Sequence, residues 1–135
     1  MANAAPLAVS NGYELSFSAA APHLFVDGDP HAIGRAIANL LGNAVAHGGG
    51  AGLIQLQVGG DGSVDVIDQG AGVPAEAHER IFEPFRRERW DRDGCGLGLH
   101  LVREIMRAHG GTACVVRSAQ GAAFRLSFPG AAPSA

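Results

Sequence analysis

Polar and apolar positions along the chain fall into short alternating runs separated by two longer segments with helical spacing. Positions 13–18 set Tyr13, Leu15 and Phe17 against Glu14, Ser16 and Ser18, which predicts a strand with one buried face. Positions 24–26 are a second short apolar run, read as another strand. Asp29 and Pro30 predict a helix start, with Asp as N-cap and Pro at the first helical position. From Pro30 to about His47, Ile33, Ile37, Leu40, Leu41 and Ala44 recur on one helix face, and the glycines at 48–50 stop it.

Positions 53–58 alternate again, and a Gly-rich turn at 59–62 joins them to a strand at 63–68, making a hairpin. Val64 and Val66 share one face of that strand and Asp65 takes the other, until Gly70 and Gly72 break the run after Asp68. A short polar helical turn is expected after Pro74. The segment 81–85 carries Phe82 and Phe85, and the mixed-charge run 86–93 reads from composition as a solvated loop. Glycines at 94, 96 and 98 open a second long helix running to His109. Leu97, Leu101 and Ile105 lie on one of its faces with Val102 and Met106 beside them, and Gly110-Gly111 ends it. Positions 112–117 and 123–128 form a closing hairpin, and 129–135 read as a frayed tail. Strands joined by hairpins, with two long helices, predict an α+β fold: a two-layer α/β sandwich whose mixed, mostly antiparallel sheet carries helices on one face. The domain is expected over 13–128, with 1–12 a loose lead-in.

Composition narrows the classes. A chain of 135 residues fits one domain, and 47% hydrophobic content is globular rather than disordered. A formal net charge of -3 gives no basic footprint, so nucleic acid is disfavoured as a partner. No apolar run approaches the roughly 20 residues that span a bilayer, and the first residues lack the pattern of a secretion signal. Cys95 and Cys114 are too few for a disulfide framework and lie in no cluster with zinc spacing, so reduced thiols in a cytoplasmic setting are expected.

Three features carry candidate chemistry. Asp68 puts an acceptor-only carboxylate at a strand end, beside backbone that Gly70 and Gly72 leave open to close approach. On its own this is also how an ordinary Gly-rich turn looks. Gly94, Gly96 and Gly98 precede a helix, where free N–H groups and the dipole suit a phosphate. Their spacing is neither the dinucleotide-binding fingerprint nor Walker A, and the chain has no Lys. Asn39 and Asn43 lie four apart on one helix face. Either both hydrogen-bond buried backbone, or one offers a neutral oxygen to Mg²⁺, which takes one or two protein oxygens plus substrate phosphates.

In this order, residues 39–44 resemble the N box, 68–72 the first glycine box, 81–85 the F box and 94–99 the second glycine box of bacterial sensor histidine kinases. The sequence His109-Gly110-Gly111-Thr112 is also typical of that group. Residues 13–128 are thus similar to its catalytic ATP-binding domain, which has the Bergerat fold of the GHKL group. The resemblance implies ATP and Mg²⁺ as cofactors, with Asp68 accepting from the adenine 6-amino group and Gly70, Gly72 and Val73 admitting the ring. Asn43 would hold Mg²⁺, with Asn39 and Asn43 as the catalytic pair and His47 beside the nucleotide. Gly94, Gly96, Leu97, Gly98 and Leu99 would cradle the triphosphate. Residues 86–93 would form a lid anchored by Phe82 and Phe85, although core packing explains those two rings equally well.

Two positions depart from the pattern: Ala46 stands where Lys or Arg is usual, and His100 where a small residue is usual. ATP-hydrolysing members of the fold carry Glu four residues before the Mg²⁺ ligand, where this chain has Asn39; an amide cannot take a proton from water, which favours transfer over hydrolysis. The implied acceptor is a histidine on an upstream dimerisation helix. None of His23, His31, His47, His78, His100 or His109 has its context, so this chain is expected to be the monomeric catalytic part of a longer kinase. The implied partners are that dimerisation domain and a cognate response regulator, without direct membrane contact. An anti-sigma-factor-type serine kinase and a degenerate nucleotide-binding regulator are the alternatives.

Overall fold

The computed structural model describes residues 13–19, 24–25, 28–47, 52–59, 61–70, 72–83, 98–116, 121–129 and 132–133. Strands β1 (Tyr13–Ala19) and β2 (Leu24–Phe25) precede helix α1 (Pro30–His47). The hairpin strands β3 (Gly52–Val58) and β4 (Ser63–Ile67) lead to single 3-10 turns at Ala75–Ala77 and Arg80–Phe82. Helix α2 (Gly98–Ala108) is followed by β5 (Thr112–Val116), β6 (Ala123–Ser127) and β7 (Ala132–Pro133). The main sheet has five strands in the order β1-β3-β4-β6-β5. Only the β1–β3 pair is parallel, because α1 lies between those strands in sequence; the other three pairs are antiparallel.

Local chemistry sets the element ends. Asp29 Oδ1 accepts from the His31 amide at 2.9 Å, the N-cap bond expected of Asp before Pro30 and worth about 1 kcal/mol. Helix α2 ends on Gly110 at φ 73. The Gly110 amide donates to Arg107 O and the Gly111 amide to Met106 O, which satisfies two orphan carbonyls in the Schellman pattern. In the β3–β4 turn, Asp61 Oδ1 accepts from both the Ser63 amide and the Ser63 hydroxyl, and those donors hold its carboxyl below the usual range.

Alternation decides which face of the sheet is covered. Ile54, Leu56, Val64, Val66, Phe124 and Leu126 point to the helices and are buried with Leu40, Leu41, Val102 and Met106 in one core. The opposite face carries the Asp65–Arg125 rung, a bidentate pair with Nε to Oδ1 at 2.8 Å and Nη2 to Oδ2 at 2.9 Å. That carboxylate holds the guanidinium well above its ordinary pKa.

The two-layer sandwich is therefore the fold expected, with three differences of detail. Phe17, expected on a buried face, is 61% exposed. Among the described residues its edge strand pairs only with β3; Leu15 of that strand packs half-buried against the core, and Phe17 lies beyond it. On α2, Leu99 is buried with Val102, Ile105 and Met106 while Leu101 is only half-buried, so the core-facing stripe is turned from the one expected. Ala132–Pro133, expected to fray, pairs antiparallel with Leu24–Phe25.

Candidate functional site

Asp68 follows the last residue of β4 and is 2% exposed, although it carries an ionisable group. Burial at this level needs compensation, and two backbone donors supply it. Its Oδ1 accepts from the Gly70 amide at 2.8 Å and from the Ala122 amide at 3.1 Å. The Asp68 amide donates in turn to Ala122 O at 2.9 Å, so Ala122, just before β6, holds both the carboxylate and the backbone of Asp68. Two glycines permit this approach. Gly121 has φ 70, and a Cβ there would meet Asp68 O at 2.2 Å. Gly72 has φ 81, and its Cβ would meet Gly121 O at 2.9 Å. Val73 is half-buried against the core, and its carbonyl accepts from His78 Nε2 at 3.0 Å, which fixes the loop beyond the glycines.

Gly121 and Ala122 were not among the expected site residues. Gly121 was visible in the sequence as a hairpin glycine, but its contact with Asp68 arises only because β6 lies beside β4. Gln69 was also missed. Its Oε1 accepts from the Leu53 amide at 2.9 Å and ties the loop to the start of β3.

The Asn pair sits on α1, which packs against α2. Asn39 Nδ2 donates to Gly98 O at 3.3 Å, a bond from the middle of α1 to the first residue of α2. Asn43 is one turn further along. Its Nδ2 is buried with no hydrogen-bond partner among the described residues. The two amides thus have different roles: Asn39 satisfies backbone and Asn43 does not. Gly98 has open space where a Cβ would project, so the entry to α2 is uncrowded. Leu99 faces the core. Phe82 is 3% exposed and meets Phe124 edge-on at a centroid distance of 6.4 Å, so its ring is part of the core. Phe85, Gly94, Gly96, Leu97 and the charged run 86–93 lie outside the described residues, as do the side chains of Ala46 and His47.

Residues 28–132 match the family of histidine kinase-, DNA gyrase B- and HSP90-like ATPases. The chain belongs to this family. Among curated relatives, the alginate biosynthesis sensor protein KinB of Pseudomonas aeruginosa is 42% identical over 101 residues, covering 72% of this chain and 17% of KinB. Among solved structures, the ATP-binding domain of PrrB from Mycobacterium tuberculosis superposes with a TM-score of 0.74 at 31% identity, over 98% of this chain and 88% of that one. Full-length ShkA in complex with AMPPNP gives 0.81 at 32% identity, over 99% of this chain and 29% of that one. This histidine kinase-like ATPase chain therefore spans a minor part of its sensor-kinase relatives, and the family implied by the four ordered boxes is the one shown.

The family implies a nucleotide and, with it, a divalent cation. No group of three or more His, Cys, Asp or Glu side chains that could hold a metal occurs among the described residues. A cation here would rely on neutral oxygen and on the ligand's own oxygens, as Mg²⁺ commonly does. The buried, unpartnered amide end of Asn43 suits that role. A flip of the amide exchanges nitrogen for oxygen at the same place.

Proposed function

We propose that this chain binds MgATP as the catalytic ATP-binding part of a cytoplasmic sensor histidine kinase. The γ-phosphoryl group then passes to a histidine on an upstream dimerisation domain, and from there to a response regulator. The reading is carried by the buried amide of Asn43, whose Nδ2 has no hydrogen-bond partner among the described residues. Leaving such a group unsatisfied costs about 1–3 kcal/mol, which a bound cation would offset once the amide is turned to bring its oxygen to that place. Asp68, held by two backbone amides, would accept from the adenine 6-amino group. Asn43 would offer its oxygen to Mg²⁺, and the backbone at the start of α2, which includes Gly98, would face the phosphates. The bound Mg²⁺ supplies charge neutralisation at the phosphates, and the protein's part in such a reaction is to position and to exclude water.

Transfer is favoured over hydrolysis by Asn39. It stands where the ATP-hydrolysing members place their general base, and its Nδ2 is committed to Gly98 O. The test uses the 135-residue chain. MgATP should raise its melting temperature, and Asn43→Ala should abolish that shift. Incubated alone with γ-labelled ATP the chain should take up no label, and a separately supplied dimerisation domain should become labelled. Absence of any MgATP shift in the parent chain would overturn the reading, and Ala46 in place of the usual Lys or Arg would be the first position to restore. Label on the isolated chain would overturn the assignment of an acceptor elsewhere.

A further inference from the structure

His109 links the end of α2 to the start of α1. Its Nε2 accepts from the Asp29 amide at 3.0 Å, and its Nδ1 lies 2.8 Å from Ile105 O. A backbone amide can only donate and a carbonyl can only accept. The imidazole must therefore be neutral, with the proton on Nδ1 and a bare Nε2. Gly28 is shaped to this contact. A Cβ at 28 would meet His109 Cδ2 at 2.4 Å, Nε2 at 2.7 Å and Ile33 Cδ1 at 2.9 Å. Asp29 is also the N-cap of α1, so the ring grips the residue from which that helix starts.

The second tie between the helices is Asn39 to Gly98. The two ties are ten residues apart along α1 and eleven along α2, about 15 and 16 Å at 1.5 Å per residue. One rung at each end of α2, meeting α1 at its N-cap and at its middle, fixes both the axial register and the tilt of the pair. One rung alone would leave α1 free to pivot about it. Asn43 lies one turn beyond the Asn39 rung, so its place relative to the start of α2 depends on both.

We propose that His109 is a positioning residue for the candidate site: through Asp29 it sets the register of α1 on α2 and so places Asn43, although it touches no ligand itself. The inference rests on the nucleotide-binding reading above, and its test has an arm that does not need nucleotide. In the ligand-free chain, ¹⁵N-histidine spectra should show Nδ1 protonated and Nε2 bare and coupled to the Asp29 amide. His109→Ala should displace the side-chain amide signal of Asn43. With Mg²⁺ and AMPPNP, His109→Ala should weaken binding about tenfold at temperatures well below melting. His109→Gln keeps an acceptor at the reach of Nε2 and should restore most of the affinity. His109→Asn reaches only toward Ile105 O and should not, even where it restores the melting temperature.

A protonated Nε2, or an Asn43 signal unmoved in folded His109→Ala, overturns the proposal whether or not nucleotide binds. Equal AMPPNP affinity in His109→Ala and parent also overturns it. Should His109→Ala fail to fold, Gly28→Ala displaces the ring while leaving it present, and an unmoved Asn43 signal there has the same force. If the parent chain binds no AMPPNP, the nucleotide-binding reading fails, and the Asn43 signal still decides whether His109 sets the register.

Discussion

Asn39 and Asn43 lie one turn apart on α1, and only Asn39 is satisfied: its Nδ2 donates to Gly98 O, while Nδ2 of Asn43 is buried without a partner among the described residues. Substitution should separate them. Asn43→Ala removes an orphan amide and gains helix propensity, so the ligand-free chain should become about 0.5 kcal/mol more stable. Asn39→Ala removes a made bond and should destabilise by about 1 kcal/mol before its gain in propensity. Urea titration of the ligand-free variants checks both signs. A destabilised Asn43→Ala would show that its amide is structural.

Cys114 sits on the outer face of the sheet, on the rung opposite Arg125. Although the residue is exposed, partial desolvation pushes its thiol up, against a smaller pull downward from the Arg125 charge. A raised pKa means that less thiolate is present at neutral pH, so alkylation should be slow. In a Cys95→Ser background, iodoacetamide should label Cys114 more slowly in the folded chain than in urea at pH 8. The gap should narrow as pH rises past the ordinary thiol range. Equal rates at pH 8 would contradict the raised value.

Much of this arrangement was legible in the sequence because local chemistry dictates it. The Asp29-Pro30 start, the Gly110-Gly111 stop, the β3–β4 hairpin and the break after Asp68 all rest on residues close in the chain. Asn39 and Asn43 were recognisable as a pair, but which of them would be satisfied depended on where α2 begins. The clamp on Asp68 was not legible at all: Ala122 lies 54 positions away and offers only a backbone amide, which no side-chain pattern reveals. Phe17 misled for the complementary reason, since alternation shows which face a residue takes but not whether the sheet is covered at its edge.

Gly121 is the position at which substitution should be felt most in the Asp68 loop. A side chain there requires an uncommon φ of 70, and its Cβ would lie 2.2 Å from Asp68 O and 2.7 Å from the Gly70 amide nitrogen. Those neighbours are backbone and cannot swing away, so the β6 lead-in must separate from the loop. The strained conformation and the clash together should cost Gly121→Ala about 3 kcal/mol. Gly98→Ala makes a control, because nothing lies within 4 Å of a Cβ at that position. Chemical denaturation of the two variants gives the comparison. Similar losses in both would mean that the Gly121 contact is not what holds the loop.

Asp68 itself allows its structural and recognition roles to be separated. Asp68→Ala strands the Gly70 and Ala122 amides and should cost about 3 kcal/mol, since each orphaned donor loses its desolvation compensation. Asp68→Asn keeps one carbonyl oxygen for those two donors, so the loss should be nearer 1 kcal/mol. With that oxygen committed to the backbone, the amide nitrogen takes the place of the second carboxylate oxygen. A donor then faces the adenine 6-amino group, which is itself a donor, whereas guanine presents a carbonyl at the same place. Asp68→Asn should therefore bind ATP more weakly than the parent chain and lose its preference for ATP over GTP. Titration calorimetry with both nucleotides reads the outcome. An unchanged ATP preference in a folded Asp68→Asn chain would remove Asp68 from base recognition and leave it as the loop's anchor.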